Sequence, residues 1–150
     1  MDVKFSIALP RQAYTVAVVR EFLGEALRST GVCADCRFPI LLAASEACAN
    51  AVDHGAPSCG YQVTIRVHTD TCDLEVAHKG PGFNPSRVPL PDIEAESGRG
   101  LLLMRQVMED VSVSADPDGS TRLHMAKRFS QCRPGPPEHG EWSRLEPVLR

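Results

Sequence analysis

No apolar run in this sequence approaches the ~20 residues that a helix needs to cross a bilayer, so no membrane-spanning helix is expected. The opening residues, Met1 to Ser6, lack the charged and then greasy pattern of a secretory signal, and the expectation is a cytoplasmic protein. Basic residues are not in excess: 16 Lys and Arg stand against 19 Asp and Glu, a formal net charge of -3. Proteins that grip nucleic acid usually present a basic face, so nucleic acid contact is disfavoured. Metal-ligand spacing is scarce as well. Of the six cysteines only Cys33 and Cys36 stand close together, and Cys48, Cys59, Cys72 and Cys132 form no second pair at zinc-finger spacing. In a reducing compartment these thiols stay reduced, and Cys48 and Cys72 read as small apolar packing residues. No internal repeat occurs, and the one biased tract is the end, Gln131 to Arg150, with four prolines.

What is present suits one domain with one core, since the chain has 150 residues and 43% apolar content. The expected division is a folded unit over 1–130 and a loosely held Pro-rich tail over 131–150, where Trp142 is the group able to dock it. Val3 to Leu9 alternate as a half-buried strand and Pro10 ends the run. From Arg11 to Ser29 the period becomes helical, with Tyr14, Val18, Phe22, Leu23, Ala26 and Leu27 on one stripe and Gly31 closing the helix. After a Cys33 to Arg37 loop, a second helix is expected from Phe38 to about Asp53, with Pro39 in its first turn and Gly55 stopping it. Tyr61 to His68 alternate strictly, Asp70-Thr71 gives a turn, and Cys72 to His78 return as an antiparallel partner. Gly80 to Gly100 reads as a long loop, which inside a compact domain signals function. A short helix from Gly100 to Met108 leads to Val111–Ser114, and the turn Asp116-Pro117-Asp118-Gly119 joins it to a strand from Thr121 to Phe129. The sum is an α+β two-layer sandwich, a mostly antiparallel sheet covered on one face by helices.

The chemistry concentrates in Ala43 to Gly55. Successive helical residues turn by ~100°, so Glu46, Asn50 and His54 drift by ~40° per step and form one polar ridge. Ile40, Ala44, Ala47 and Ala51 make an apolar stripe beside it, and no Lys or Arg occurs between Phe38 and His54. A carboxylate and an amide among alanines suit a partly buried site, and Glu plus Asn is a sensible oxygen set for Mg²⁺ near phosphates. A helix with an incidental polar edge would look the same. Two glycine boxes follow, His78-Lys79-Gly80-Pro81-Gly82-Phe83 and Gly98-Arg99-Gly100-Leu101. Glycines let a backbone approach a ligand closely, and Gly100 at a helix start would offer amides to phosphate oxygens.

In this order the motifs resemble the GHKL superfamily of ATPases and kinases with a Bergerat fold, particularly its small anti-sigma-factor serine/threonine kinase branch, over roughly residues 5–129. The resemblance implies ATP and Mg²⁺ as cofactors, Glu46 as general base, and Asn50 as the Mg²⁺ ligand, with His54 and Gly55 closing the motif. It further implies that Gly80, Gly82 and Phe83 line the adenine pocket, that 84–97 form an ATP lid, and that Gly98, Arg99, Gly100 and Leu101 lie under the phosphates. Thr121 or Ser120 falls where the family contacts the base. Partners implied are a sigma factor and an anti-anti-sigma factor whose serine takes the phosphoryl group, and relatives are commonly homodimers. One departure stands out: the family has aspartate two residues before the first glycine, and this chain has His78. A neutral imidazole offers one acceptor nitrogen and no charge, which would weaken adenine binding by ten- to a hundredfold, about 1.5 to 3 kcal/mol. His78 at a strand end facing solvent, in a binding module that has lost catalysis, is the rival reading. The catalytic part of a sensor histidine kinase is a third, disfavoured because no helical-hairpin phosphoacceptor segment is visible.

Overall fold

The computed structural model describes residues 2–54, 59–79 and 96–129, with side chains from residue 102 onward in the last segment. The expectations for Gly55, Gly80, Gly82, Phe83, most of the lid and the tail with Trp142 lie outside the described residues.

Five strands and three helices are described: β1 (Val3–Leu9), α1 (Thr15–Ser29), α2 (Ala34–His54), β2 (Tyr61–Val67), β3 (Thr71–Lys79), α3 (Glu96–Val107), β4 (Asp110–Ala115) and β5 (Ser120–Arg128). The strands form one sheet in the order β1-β2-β3-β5-β4. All four pairings are antiparallel, so the sheet is not mixed. The reason is topological. The β3-α3-β4 crossing would bring two parallel strands side by side, but it leaves a gap of one strand, and β5 folds back to fill it.

Alternation sorts the sheet into two faces. Tyr61, Val63, Ile65 and Val67 from β2, Cys72, Leu74 and Val76 from β3, and Leu123 and Met125 from β5 are buried beneath the helices. The opposite face carries Lys4, Gln62, Thr64, Arg66, Asp73, Glu75, Arg122 and His124, which surround a shallow polar hollow. Helix α2 contributes Cys36, Ile40, Ala43, Ala44, Ala47, Cys48 and Ala51 to the core. Full burial of a side chain such as Ile40 or Leu23 is worth ~1.5–3 kcal/mol.

Three helix boundaries differ from expectation. Helix α1 begins at Thr15 rather than Arg11, because Gln12, Thr15 and Val16 donate turn hydrogen bonds to Pro10, Gln12 and Ala13. Its buried line runs through Thr15, Val19, Leu23, Ala26 and Leu27, which leaves Tyr14 65% and Val18 38% exposed, a stripe rotated by one residue. Gly31 closes it as expected, with φ of 82°. Helix α2 begins at Ala34, so Pro39 lies in its second turn and not its first. Cys36 and Arg37 already donate to the Cys33 carbonyl, Asp35 complements the positive helix end, and Cys36 is drawn into the core. Helix α3 begins at Glu96, four residues before the expected start. Its far end is met by Lys127, whose Nζ donates to the Val107 carbonyl at 3.0 Å. The β4–β5 turn closes as expected, with Gly119 donating to Asp116 at 3.0 Å.

Cys36, Cys48, Cys59 and Cys72 carry no disulfide. Cys33 is disulfide-bonded, against the expectation of reduced thiols throughout. The nearby Cys36 is not its partner: it carries no disulfide and is buried in the core.

Candidate functional site

Between α2 and the sheet lies a small cavity of about 20 Å³, lined by Ala47, Asn50, Ala51, Val76, His78, Met104, Val113, Thr121 and Leu123. Among the described residues, α2, β3, α3, β4 and β5 meet here. Asn50 enters from α2 and Met104 from α3, while His78 and Thr121 are paired partners on β3 and β5. Pairing puts the last two side chains on the same face of the sheet, directly opposite Asn50's helix. Thr121 is 6% exposed, a buried hydroxyl among apolar walls.

The ridge expected on α2 is present: Glu46 and Asn50 are half-buried and His54 is exposed, which follows the drift of residues four apart toward solvent. Asn50 reaches the cavity, whereas Glu46 and His54 are not among its lining residues. Ser120 pairs with Lys79, one residue out of register with the cavity face. Gly98, Arg99, Gly100 and Leu101 belong to α3 by backbone. The earlier start corrects Gly100's expected role. The amides without an intrahelical acceptor belong to the first four residues, Glu96 to Arg99, and Gly100 sits beyond them.

Sequence reasoning missed the apolar part of the site. Ala47, Ala51, Val76 and Leu123 were readable as core, and they are, but they also wall the cavity. Their signal was spacing: Ala47 and Ala51 flank Asn50 at minus three and plus one, and Val76 and Leu123 stand two residues from His78 and Thr121. Arg11 was missed as well. Its Nε donates to the Val52 carbonyl and its Nη2 to that of Asp53 at 3.2 Å, a cation on the negative end of α2 within one turn of Asn50. A second support lies under Tyr61, whose hydroxyl meets Thr15 Oγ1 at 2.5 Å in the interior.

Electrostatics exclude the thiols from chemistry here. Burial pushes Cys48 and Cys72 up to about 12, so both stay protonated and packed. Burial likewise raises Tyr61 above its ordinary value, with the hydrogen bond to Thr15 opposing it.

The lining has the chemistry that suits one edge of an aromatic base, six apolar walls and three polar groups, while the enclosed volume of about 20 Å³ has room for about one water. Among the described residues no group of three or more His, Cys, Asp or Glu is placed to hold a metal. Asn50 supplies one hard oxygen, which suits Mg²⁺ if phosphate oxygens and water complete the shell.

A family model described as the histidine kinase-like ATPase domain matches residues 9–127. The chain belongs to this family. All the cavity-lining residues fall inside the matched span of the histidine kinase-like ATPase domain. An anti-sigma F factor of Bacillus licheniformis is 25% identical over 143 residues, covering 89% of this chain and 94% of its own. A serine-protein kinase RsbW of Bacillus mycoides is 30% identical over 132 residues, covering 80% and 82%. A crystal structure of the RsbU and RsbW domains of Rv1364c from Mycobacterium tuberculosis shares the fold, with a TM-score of 0.62 at 18% identity over 90% of this chain. This ATPase-family chain spans about a third of that larger protein, 34% of its length. Among the described residues, no helix is long and apolar enough to cross a membrane.

Proposed function

We propose that the chain is an ATP-binding regulator that transfers a phosphoryl group to a serine of an anti-anti-sigma partner and holds a sigma factor in competition with it. The observation that carries the proposal is the convergence of Asn50, His78 and Thr121 on one apolar cavity, in a domain of the histidine kinase-like ATPase family. The names of the relatives, anti-sigma F factor and serine-protein kinase RsbW, supply the class of partner.

In this reading the base lies between α2 and the sheet with its polar edge toward His78 and Thr121. Asn50 turns its amide oxygen toward the phosphates, where Mg²⁺ when bound neutralises their charge. Glu46, one turn before Asn50 and half-buried, orients the attacking hydroxyl and accepts its proton. The first-turn amides of α3, together with Gly98 and Arg99, hold phosphate oxygens. Gly80, Gly82 and Phe83 are assigned to base binding, and Gly100 and Leu101 to the second box, on α3. The site works in the cytoplasm, where ATP and Mg²⁺ are available.

The test is a transfer assay with labelled ATP, Mg²⁺ and a purified anti-anti-sigma protein. Wild type labels a serine and Glu46→Ala does not, with its melting temperature unchanged; equal rates would refute the role of Glu46. Asn50→Ala abolishes Mg²⁺-dependent nucleotide binding by calorimetry, and an unchanged affinity would remove it from the site.

A second reading, a module that sequesters a sigma factor without catalysis, is favoured by His78 in place of the family's aspartate and by the small size of the cavity, about 20 Å³. Mg-ATP raises the melting temperature under the first reading and leaves it unmoved under the second. Self-association is proposed along the β1 edge of the sheet. Phe5 and Ile7 are there only partly buried, Phe22 packs edge-on against Phe5 at 6.5 Å, and Val18 is exposed. Phe22→Glu then converts a dimer into a monomer in sedimentation.

A further inference from the structure

Cys33, in the loop between α1 and α2, is disulfide-bonded. The chain has six cysteines, and Cys36, Cys48, Cys59 and Cys72 carry no disulfide. Within one chain a single candidate remains for the other half of the bond, Cys132, which lies outside the described residues. The Cys-x-x-Cys pairing that spacing alone would favour is excluded, because Cys36 is one of the four.

The described fold puts the end of β5 near that loop. The amides of Cys36 and Arg37 donate to the Cys33 carbonyl at 3.1 and 2.9 Å, which ties Cys33 to the first turn of α2. Cys36 is buried and close enough to Cys72 on β3 to disfavour its thiolate. Cys72 in turn is in register with Lys127 on β5. Two residues on, Phe129 is buried in the same core as Val32 and Cys36, and its amide donates to the Asp70 carbonyl at 2.8 Å. Three residues separate Phe129 from Cys132, a reach of ~10 Å, and a disulfide needs its Cα atoms only ~4.4–6.8 Å apart.

We infer that Cys33 and Cys132 form a reversible disulfide that clasps the end of β5 to the start of α2 and closes one covalent loop around every element lining the cavity. That loop spans about 100 residues and holds α2, β2, β3, α3, β4 and β5, so closing it removes much of the freedom of the unfolded chain. In a reducing compartment such a bond is transient and acts as a sensor. Cys33 is only partly buried and open to exchange, whereas burial pushes Cys48 and Cys72 up to about 12 and keeps them inert. The oxidant is a low-molecular-weight disulfide. One thiolate of the pair attacks it and displaces one small thiol, leaving a mixed disulfide. The second cysteine loses its proton, attacks the protein sulfur of that mixed disulfide and displaces the other small thiol. Two electrons and two protons pass to the oxidant, and no metal or nucleotide takes part.

The experiment equilibrates the full chain with oxidised or with reduced glutathione, quenches it with an alkylating agent, and compares non-reducing peptide maps; parallel unquenched samples are melted. Oxidised wild type yields a peptide carrying Cys33 linked to one carrying Cys132, and melts roughly 10 °C above the reduced form. Cys33→Ser and Cys132→Ser each lose the linked peptide and the difference in melting, while Cys36→Ala keeps both. No linked peptide after oxidation, a link from Cys33 to Cys36 or to a second chain, or a melting difference that persists in Cys132→Ser each overturns the pairing. A link that forms without moving the melting temperature overturns the clasp. Neither readout needs ATP, so both are independent of the nucleotide reading.

Discussion

Replacing Tyr61 by phenylalanine and Thr15 by valine should have unequal effects, and the hydrogen-bond directions say by how much. Thr15 Oγ1 lies 2.6 Å from the Gln12 carbonyl and 2.5 Å from Tyr61 Oη. The threonine has one proton, which the carbonyl takes, so the tyrosine must donate to the threonine. Tyr61→Phe removes that donor and leaves Thr15 still bonded to Gln12, a loss of one net hydrogen bond, about 0.5–1.5 kcal/mol. Thr15→Val strands a phenol hydroxyl at a residue only 3% exposed, while the Gln12 carbonyl keeps the Thr15 backbone N–H at 3.0 Å, and costs about 1–3 kcal/mol. With both changed no polar atom of the pair remains buried, so the double variant should be more stable than Thr15→Val alone. Urea denaturation of the four proteins gives the cycle directly. Additive losses, or a Thr15→Val no worse than Tyr61→Phe, would refute the assigned directions.

Three further outcomes are expected. Gly60→Ala loses roughly 1–3 kcal/mol in the same denaturation assay, because a Cβ there would sit 2.3 Å from the Leu9 carbonyl oxygen and backbone must shift; an unchanged midpoint would contradict the close approach of β1 and β2. Ala51→Leu, which thrusts carbon into the cavity beside Asn50, weakens Mg-ATP binding more than tenfold in calorimetry while far-UV spectra stay those of a folded chain. His68 lies 2.6 Å from Asp2 and 2.9 Å from Asp73, and the Asp2 hydrogen bond, before that of Asp73, raises it above 6.5. A raised histidine stabilises below its unfolded value and loses that contribution as pH climbs through its folded one. His68→Gln should therefore narrow its stability gap to wild type between pH 5.5 and pH 8.5, and a gap independent of pH would dismiss the ion pairs.

The sequence showed most where one residue decides one element. Alternation delimited β1 to the residue, and Asp116 to Gly119 announced the last hairpin. It failed where a local rule met a tertiary one. Pro39 suggested a first turn, but burial of Cys36 extended α2 backwards across it. Periodicity marks which face of a strand is buried and not which strand lies beside it, so the insertion of β5 between β3 and β4 was illegible. In the site, Asn50, His78 and Thr121 were legible as polar residues at motif spacing, and the structure brings these three together. The alanines, Val76 and Leu123 were not, because a residue that walls a cavity and one that fills a core obey the same hydrophobic pattern. Arg11 escaped for another reason: its partners are backbone carbonyls, which have no signature in side-chain sequence.

The central claim is that a nucleotide occupies the space between α2 and the sheet. Its most direct test is to add Mg-ATP to labelled protein and follow the Met104 methyl, the Asn50 side-chain amide and the Thr121 methyl by NMR. The account predicts that all three shift together and saturate with one dissociation constant. Saturable shifts confined to the polar face around Arg66, Glu75 and Arg122, with these three signals unmoved, would contradict it.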